Sequence, residues 1–178
     1  VRGNPDDRGI NSSPTWKRTT RTAEWVTANL PADSSLQLYT LNTAASPAVA
    51  DLKNKWIATS DNKNINRMLA ALKQTIPQGG TSLYKAFAAA ARMKPRPDNI
   101  LLLTDGLPTQ GEKKSSKNTI SGDERLKLFH QAAGVLPRAV PINTILFPME
   151  GDPMAAVSFW KLAIETGGSF LTPTRDWP

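Results

Sequence analysis

Two places in this sequence carry the residue types that do chemistry. Gly79-Gly80 leads into Thr81-Ser82, and the apolar run 99–104 (NILLLT) closes on Thr104 and passes into Asp105-Gly106. In both, hydroxyls or a carboxylate fall where the chain turns. Open α/β sheets gather their ligands outside the carboxyl ends of the strands. The polar residues expected at such an edge are Asn42, Thr43, Thr81, Ser82, Thr104, Asp105, Glu150 and Asp152. Theirs is oxygen chemistry. Hydroxyls and carboxylates suit a hard cation such as magnesium, which prefers octahedral oxygen and keeps some of its water. Each piece alone says little. An Asp-Gly after a strand is an ordinary turn, and Gly-Gly-Thr-Ser reads equally well as a glycine turn before a helix cap.

Enzyme chemistry finds less support. The sequence contains no G-x-G-x-x-G, no G-x-x-x-x-G-K-[ST] and no G-x-S-x-G, the motifs of dinucleotide, nucleotide-phosphate and nucleophile-elbow sites. Its single histidine, His130, falls beside Phe129 in a helical stretch, away from any strand end where a catalytic base would be placed. With no cysteine, disulfides, thiolate zinc sites and iron–sulfur clusters are excluded. A metal-dependent hydrolase using Asp105 is the alternative, but it needs a positioned nucleophile or base besides the metal. No second titratable group has a clear claim to that role, so the chain is read as a non-enzyme.

The elements that must position these residues follow from periodicity. Residues 1–12 are polar and read as loop. Ser13-Pro14 opens a helix with Trp16, Thr20, Ala23, Val26 and Leu30 on one stripe, stopped by Pro31. Residues 36–42 (LQLYTLN) alternate as a strand, and 47–50 suit an edge strand only. A second helix runs from Asp61 to Ile76 with Ile65, Met68, Leu69 and Leu72 inward; a third spans Ser82 to Met93. The unbroken apolar run 99–104 reads as a strand buried on both faces. A long polar loop then leads to a fourth helix, Asp123 to Leu136, with Leu126, Phe129, Ala133 and Leu136 inward. Residues 141–147 form another buried-type strand. A fifth helix starts at Asp152-Pro153 and ends at Gly167-Gly168, before a last short strand, 169–171. Helices alternating with buried strands predict an open, doubly wound, mostly parallel sheet with helices on both faces. The 178 residues make one domain, with its body over 13–178.

The formal charge is +7, from 22 Lys+Arg against 15 Asp+Glu. Only Lys113, Lys114 and Lys117 cluster, and no aromatic residue interleaves with them, so no nucleic-acid partner is expected. That loop could steer an acidic partner. No apolar run approaches the 18 or so residues of a membrane span, and no membrane contact by the domain itself is expected.

Taken together and in this order, GGTSLYKAFAAA and NILLLTDGLPT resemble the second and third metal motifs of the von Willebrand factor A domain. The tail INTILFPMEGDP…FWKLAIETGGSFL is similar to that family's last strand, helix and strand. The resemblance runs from Trp16 to Leu171. It implies a Rossmann-like fold and a metal-ion-dependent adhesion site, usually magnesium (manganese or calcium being alternatives), completed by an acidic side chain of a protein partner. By position, Thr81 would offer its hydroxyl and Asp105 its carboxylate, directly or through water. Ser82, Thr104, Gly106, the three lysines, Glu150 and Asp152 would support the site or meet the partner.

One departure matters. The family's first motif, D-x-S-x-S, supplies most of the remaining ligands from a central strand, and it is absent here. Asp6-Asp7 runs into Arg8-Gly9, and Asp33-Ser34-Ser35 falls at a strand start. The natural chain is therefore expected to extend upstream of Val1, and these 178 residues alone to bind magnesium weakly or not at all. A purely structural domain without metal is the other alternative. The segments VRGNPDDRG…PTWKR, LLTDGLPTQG and SFLTPTRDWP are also similar to an uncharacterised bacterial group with this domain at the C-terminus. That likeness implies a membrane-anchored parent in the cell envelope, on the periplasmic side.

Overall fold

The computed structural model describes residues 14–113, 119–136, 139–147, 151–174 and 177. The expected loop 1–12, the cap at Ser13, Lys114, Lys117 and Glu150 lie outside that set.

Among the described residues, five α-helices form where the apolar spacing places them. α1 spans Pro14–Ala28 and α2 Asn62–Gln74. α3 covers Leu83–Arg92, α4 Gly122–Ala133 and α5 Met154–Thr166. Their ends follow local chemistry. Asp61 caps α2 by accepting the Asn64 N–H at 3.1 Å. Ser121 and Glu124 form a reciprocal capping box at α4. α5 stops at Gly167, whose φ of 73° lies in the left-handed region that glycine adopts at little cost.

The strands are shorter than the pattern suggested. The expected strand 36–42 divides into β1 (Ser35–Leu36) and β2 (Tyr39–Leu41). Gln37 is the cause. Its side-chain amide donates to the carbonyls of Leu52 and Lys55, while its Oε1 accepts the Leu38 N–H. A side chain thus occupies backbone groups that a ladder would use. β2 pairs with β3 (Ala45–Pro47), and β1 pairs antiparallel with β4 (Ile57–Ala58). β5 (Ile100–Thr104), β6 (Ile142–Leu146) and β7 (Phe170–Leu171) form a parallel sheet in that order. The architecture is α/β with a parallel sheet and helical crossovers.

The chain gathers into two compact units. The first holds residues 14–40 and 46–78, with Trp177. Its core is Leu52, Ile57, Ile65 and Met68, against which Leu36, Leu38, Ala48, Val49 and Leu69 pack. Here α1 lies against α2. Of the stripe expected on α1, Thr20 and Ala23 are buried and the rest half-buried.

The second unit holds residues 41–45 and everything described from Gly79 to Thr174. Leu102, Ile142 and Leu146 lie in one core with Leu83 and Phe87 of α3, Phe129 and Ala132 of α4, and Ala155, Phe159 and Leu162 of α5. Alternation along the strand sends Leu101 and Leu103 the other way. Leu101 is 43% exposed and Leu103 half-buried, so β5 is covered on one face more than on the other. Among the described residues β5 pairs only with β6, and β2 does not join it. The other edge of β5 carries no pairing among the described residues.

Candidate functional site

Asp105 follows the carboxyl end of β5, and Thr81 is bonded to the same loop a few residues further on, at Thr109 and Gln110. Thr81 and Thr109 bind each other twice: the Thr81 N–H donates to Thr109 Oγ1, and the Thr109 N–H donates to the Thr81 carbonyl, both at 3.0 Å. The Gln110 N–H shares that carbonyl, also at 3.0 Å. Glycine at position 80 permits this approach, because a Cβ there would lie 2.6 Å from Thr109 Oγ1 and something would have to shift. The end of β2 joins the same cluster, since the Ser82 N–H donates to the Asn42 carbonyl at 2.8 Å. Asn42 Oδ1 is taken by the Ala44 N–H, and Thr43 lies beside Gly79.

Most polar side chains at this edge are already committed. Ser82 is fully buried; its Oγ donates to the Gly111 carbonyl at 2.7 Å and accepts the Lys85 N–H, capping α3. Thr104 is buried, and its Oγ1 bonds both the carbonyl and the N–H of Gly106. Asp152 Oδ2 accepts the Leu107 N–H at 2.6 Å and pairs with Arg125 at 2.7 Å. What remains are the hydroxyls of Thr43 and Thr81, both half-buried, and the Asp105 carboxylate, exposed. Among the described residues none of these three side-chain groups has a hydrogen bond or an ion pair.

As donors, a hydroxyl and a carboxylate fit a hard cation by type. By number they fall short of a cage, and no group of three or more His, Cys, Asp or Glu side chains among the described residues could hold a metal. Lys113 is exposed in the loop that follows. His130 is exposed on α4 with its ring edge-on to Phe129 at 5.8 Å. No helix among the described residues is long and apolar enough to cross a membrane.

Sequence reasoning missed Arg125 and Thr109. Arg125 did leave a trace. It sits in the first turn of α4, where the helix dipole favours acidic side chains. A cation placed there against the dipole needs a counter-charge from elsewhere, and Asp152 supplies it.

No family model and no curated protein matches this chain. Five solved chains match it, among them one described as von Willebrand factor type A from Catenulispora acidiphila. Its TM-score is 0.62 at 12% identity over 91% of this chain. The matched region is 35% of that longer chain. At this identity the likeness is one of fold, and it establishes the von Willebrand factor A fold for these residues.

Proposed function

We propose that this chain is part of a protein-interaction module whose binding edge is the carboxyl end of β5, with Thr81 and Asp105 as its contribution to a metal-ion-dependent adhesion site. The observation that carries this reading is the pattern of commitment at that edge. Ser82, Thr104 and Asp152 are buried and bonded, while the Asp105 carboxylate and the hydroxyls of Thr81 and Thr43 have no partner among the described residues. The resemblance in sequence and the shared fold point the same way. Magnesium is the cation this oxygen set favours, with manganese or calcium as substitutes. We take the remaining ligands to come from the D-x-S-x-S strand expected upstream of Val1, for which the edge of β5 left unpaired among the described residues is the natural neighbour. When bound, the cation supplies an open position for an acidic side chain of the partner.

Lys113, with Lys114 and Lys117, favours the approach of that acidic partner through its field. Association should slow as salt rises, since screening sets in at about 10 Å in 0.1 M salt. The parent protein is read as membrane-anchored, with this module on the periplasmic side of a bacterial envelope. The supporting observation is the likeness of the first, middle and last segments to such a group.

Magnesium titration by calorimetry tests the site. The chain extended upstream to include the D-x-S-x-S strand should bind magnesium, and the Asp105→Ala form of it should not. The 178-residue chain should bind weakly at best. Tight magnesium binding by these residues alone, or undiminished binding after Asp105→Ala, would refute the assignment.

A further inference from the structure

We infer that Arg125 and Asp152 act together as positioning residues that fix the Asp105 turn at the sheet edge. They come from different elements, Arg125 from the first turn of α4 and Asp152 from just before α5. Yet they converge on a single residue, Leu107. Asp152 Oδ2 takes its N–H at 2.6 Å, and an Arg125 terminal nitrogen donates to its carbonyl at 2.6 Å. The two side chains also pair with each other at 2.7 Å, with exposures of 4% and 12%. Both peptide groups of Leu107 are thus held by one buried ion pair.

The other side of the turn is held as well. Thr104 Oγ1 bonds Gly106 at both its carbonyl and its N–H. Gly106 fits between because it lacks a Cβ, which would stand 2.5 Å from Asp152 Oδ2 and 3.0 Å from the Arg125 guanidinium. Asp105 lies between Thr104 and Gly106. With no hydrogen bond of its own among the described residues, its carboxylate is placed by the backbone alone. That backbone is placed by Arg125, Asp152 and Thr104.

Stability alone is a poor reason for such a pair. Apolar side chains of similar volume often replace a buried ion pair at no loss, because desolvation offsets the attraction. What apolar groups cannot do is bind one N–H and one carbonyl of the same residue in fixed directions. A planar guanidinium does this with more geometric constraint than an ammonium. Asp152 is thereby removed from the candidates for direct contact with cation or partner, since its buried carboxylate already serves the turn.

The test is hydrogen exchange on the full-length protein, comparing residues 104–111 with 142–146 in Asp152→Asn and Arg125→Lys. Arg125→Lys keeps a paired cation in place, so it remains informative if Asp152→Asn does not fold. Exchange over 104–111 should quicken by about tenfold or more, as expected when a charged hydrogen bond to the backbone is lost, while 142–146 keeps its protection. Equal acceleration in both segments means the pair only stabilises, and overturns the inference; so does no acceleration in either. A second readout rests on the proposed metal site: both variants should weaken magnesium binding by the full-length protein about tenfold. If the unaltered protein binds magnesium and the variants bind it equally well, positioning is refuted. If the unaltered protein binds none, the metal reading fails, and the exchange data alone decide the role of the pair.

Discussion

Adjacent hydroxyls at the start of α3 should behave in opposite ways when removed. Ser82→Ala deletes the side chain that caps α3 through the Lys85 N–H at 3.3 Å and binds the Gly111 carbonyl at 2.7 Å. Loss of such a cap costs about 1 kcal/mol. Leaving the Gly111 carbonyl unpaired in a buried position costs about 1–3 kcal/mol more. The long cap distance argues for the lower part of the combined range, so about 2–3 kcal/mol is expected. That is a large share of the ~5–15 kcal/mol by which domains are held. Thr81→Ala keeps every bond described at that residue, because its N–H and carbonyl are main-chain groups and its hydroxyl has no partner among the described residues. Its effect on stability should stay within about 0.5 kcal/mol. Urea denaturation followed by far-ultraviolet circular dichroism, without divalent cation, measures both. Magnesium binding by the upstream-extended protein should show a large deficit for Thr81→Ala. If Thr81→Ala is as destabilising as Ser82→Ala, or Ser82→Ala is neutral, the division of these hydroxyls into one free and one committed is wrong.

Two further outcomes are expected. Gly106→Ala should destabilise by about 1–3 kcal/mol, the usual cost of overpacking, because its new methyl meets an Asp152 carboxylate that Leu107 and Arg125 hold in place; thermal denaturation checks this, and an unchanged midpoint would show that the turn has slack. The hydrogen bonds that Asp61 accepts from the Asn64 backbone and side chain hold its carboxyl below the usual aspartate range. A depressed native pKa adds stability that is present above the unfolded value, about 3.9, and is lost as pH falls through the native value. Asp61→Asn keeps a good cap that does not titrate, so its melting temperature should gain on that of the unaltered protein between pH 5 and pH 2, both as round settings on the scale where aspartate titrates; a constant difference across that range would refute the linkage.

Local order was legible in the sequence. The stops at Pro77 and Gly167, the cap at Asp61 and the stripe Ile65, Met68 and Leu72 all depend on neighbours within a turn or two, and α2 and α5 formed accordingly. The run 99–104 gave β5, and 141–147 gave β6, because apolar β-formers bounded by turn residues need no distant information to be extended. The two turns that carry Thr81 and Asp105 were recognisable for the same reason. The break at Gln37 was not, since it depends on carbonyls of Leu52 and Lys55 that only folding brings near. The state of each polar group was likewise beyond the sequence. Ser82 and Thr81 are chemically alike and adjacent, and only the position of Gly111 makes one a buried tie and leaves the other free. Asp152 and Asp105 are both carboxylates at loop ends, and only Arg125, arriving from another helix, turns the first into a clamp. Residue type and spacing determine which groups could bind a ligand. Which of them are still available is decided by long-range contacts that satisfy some donors and acceptors and leave others for a ligand to meet.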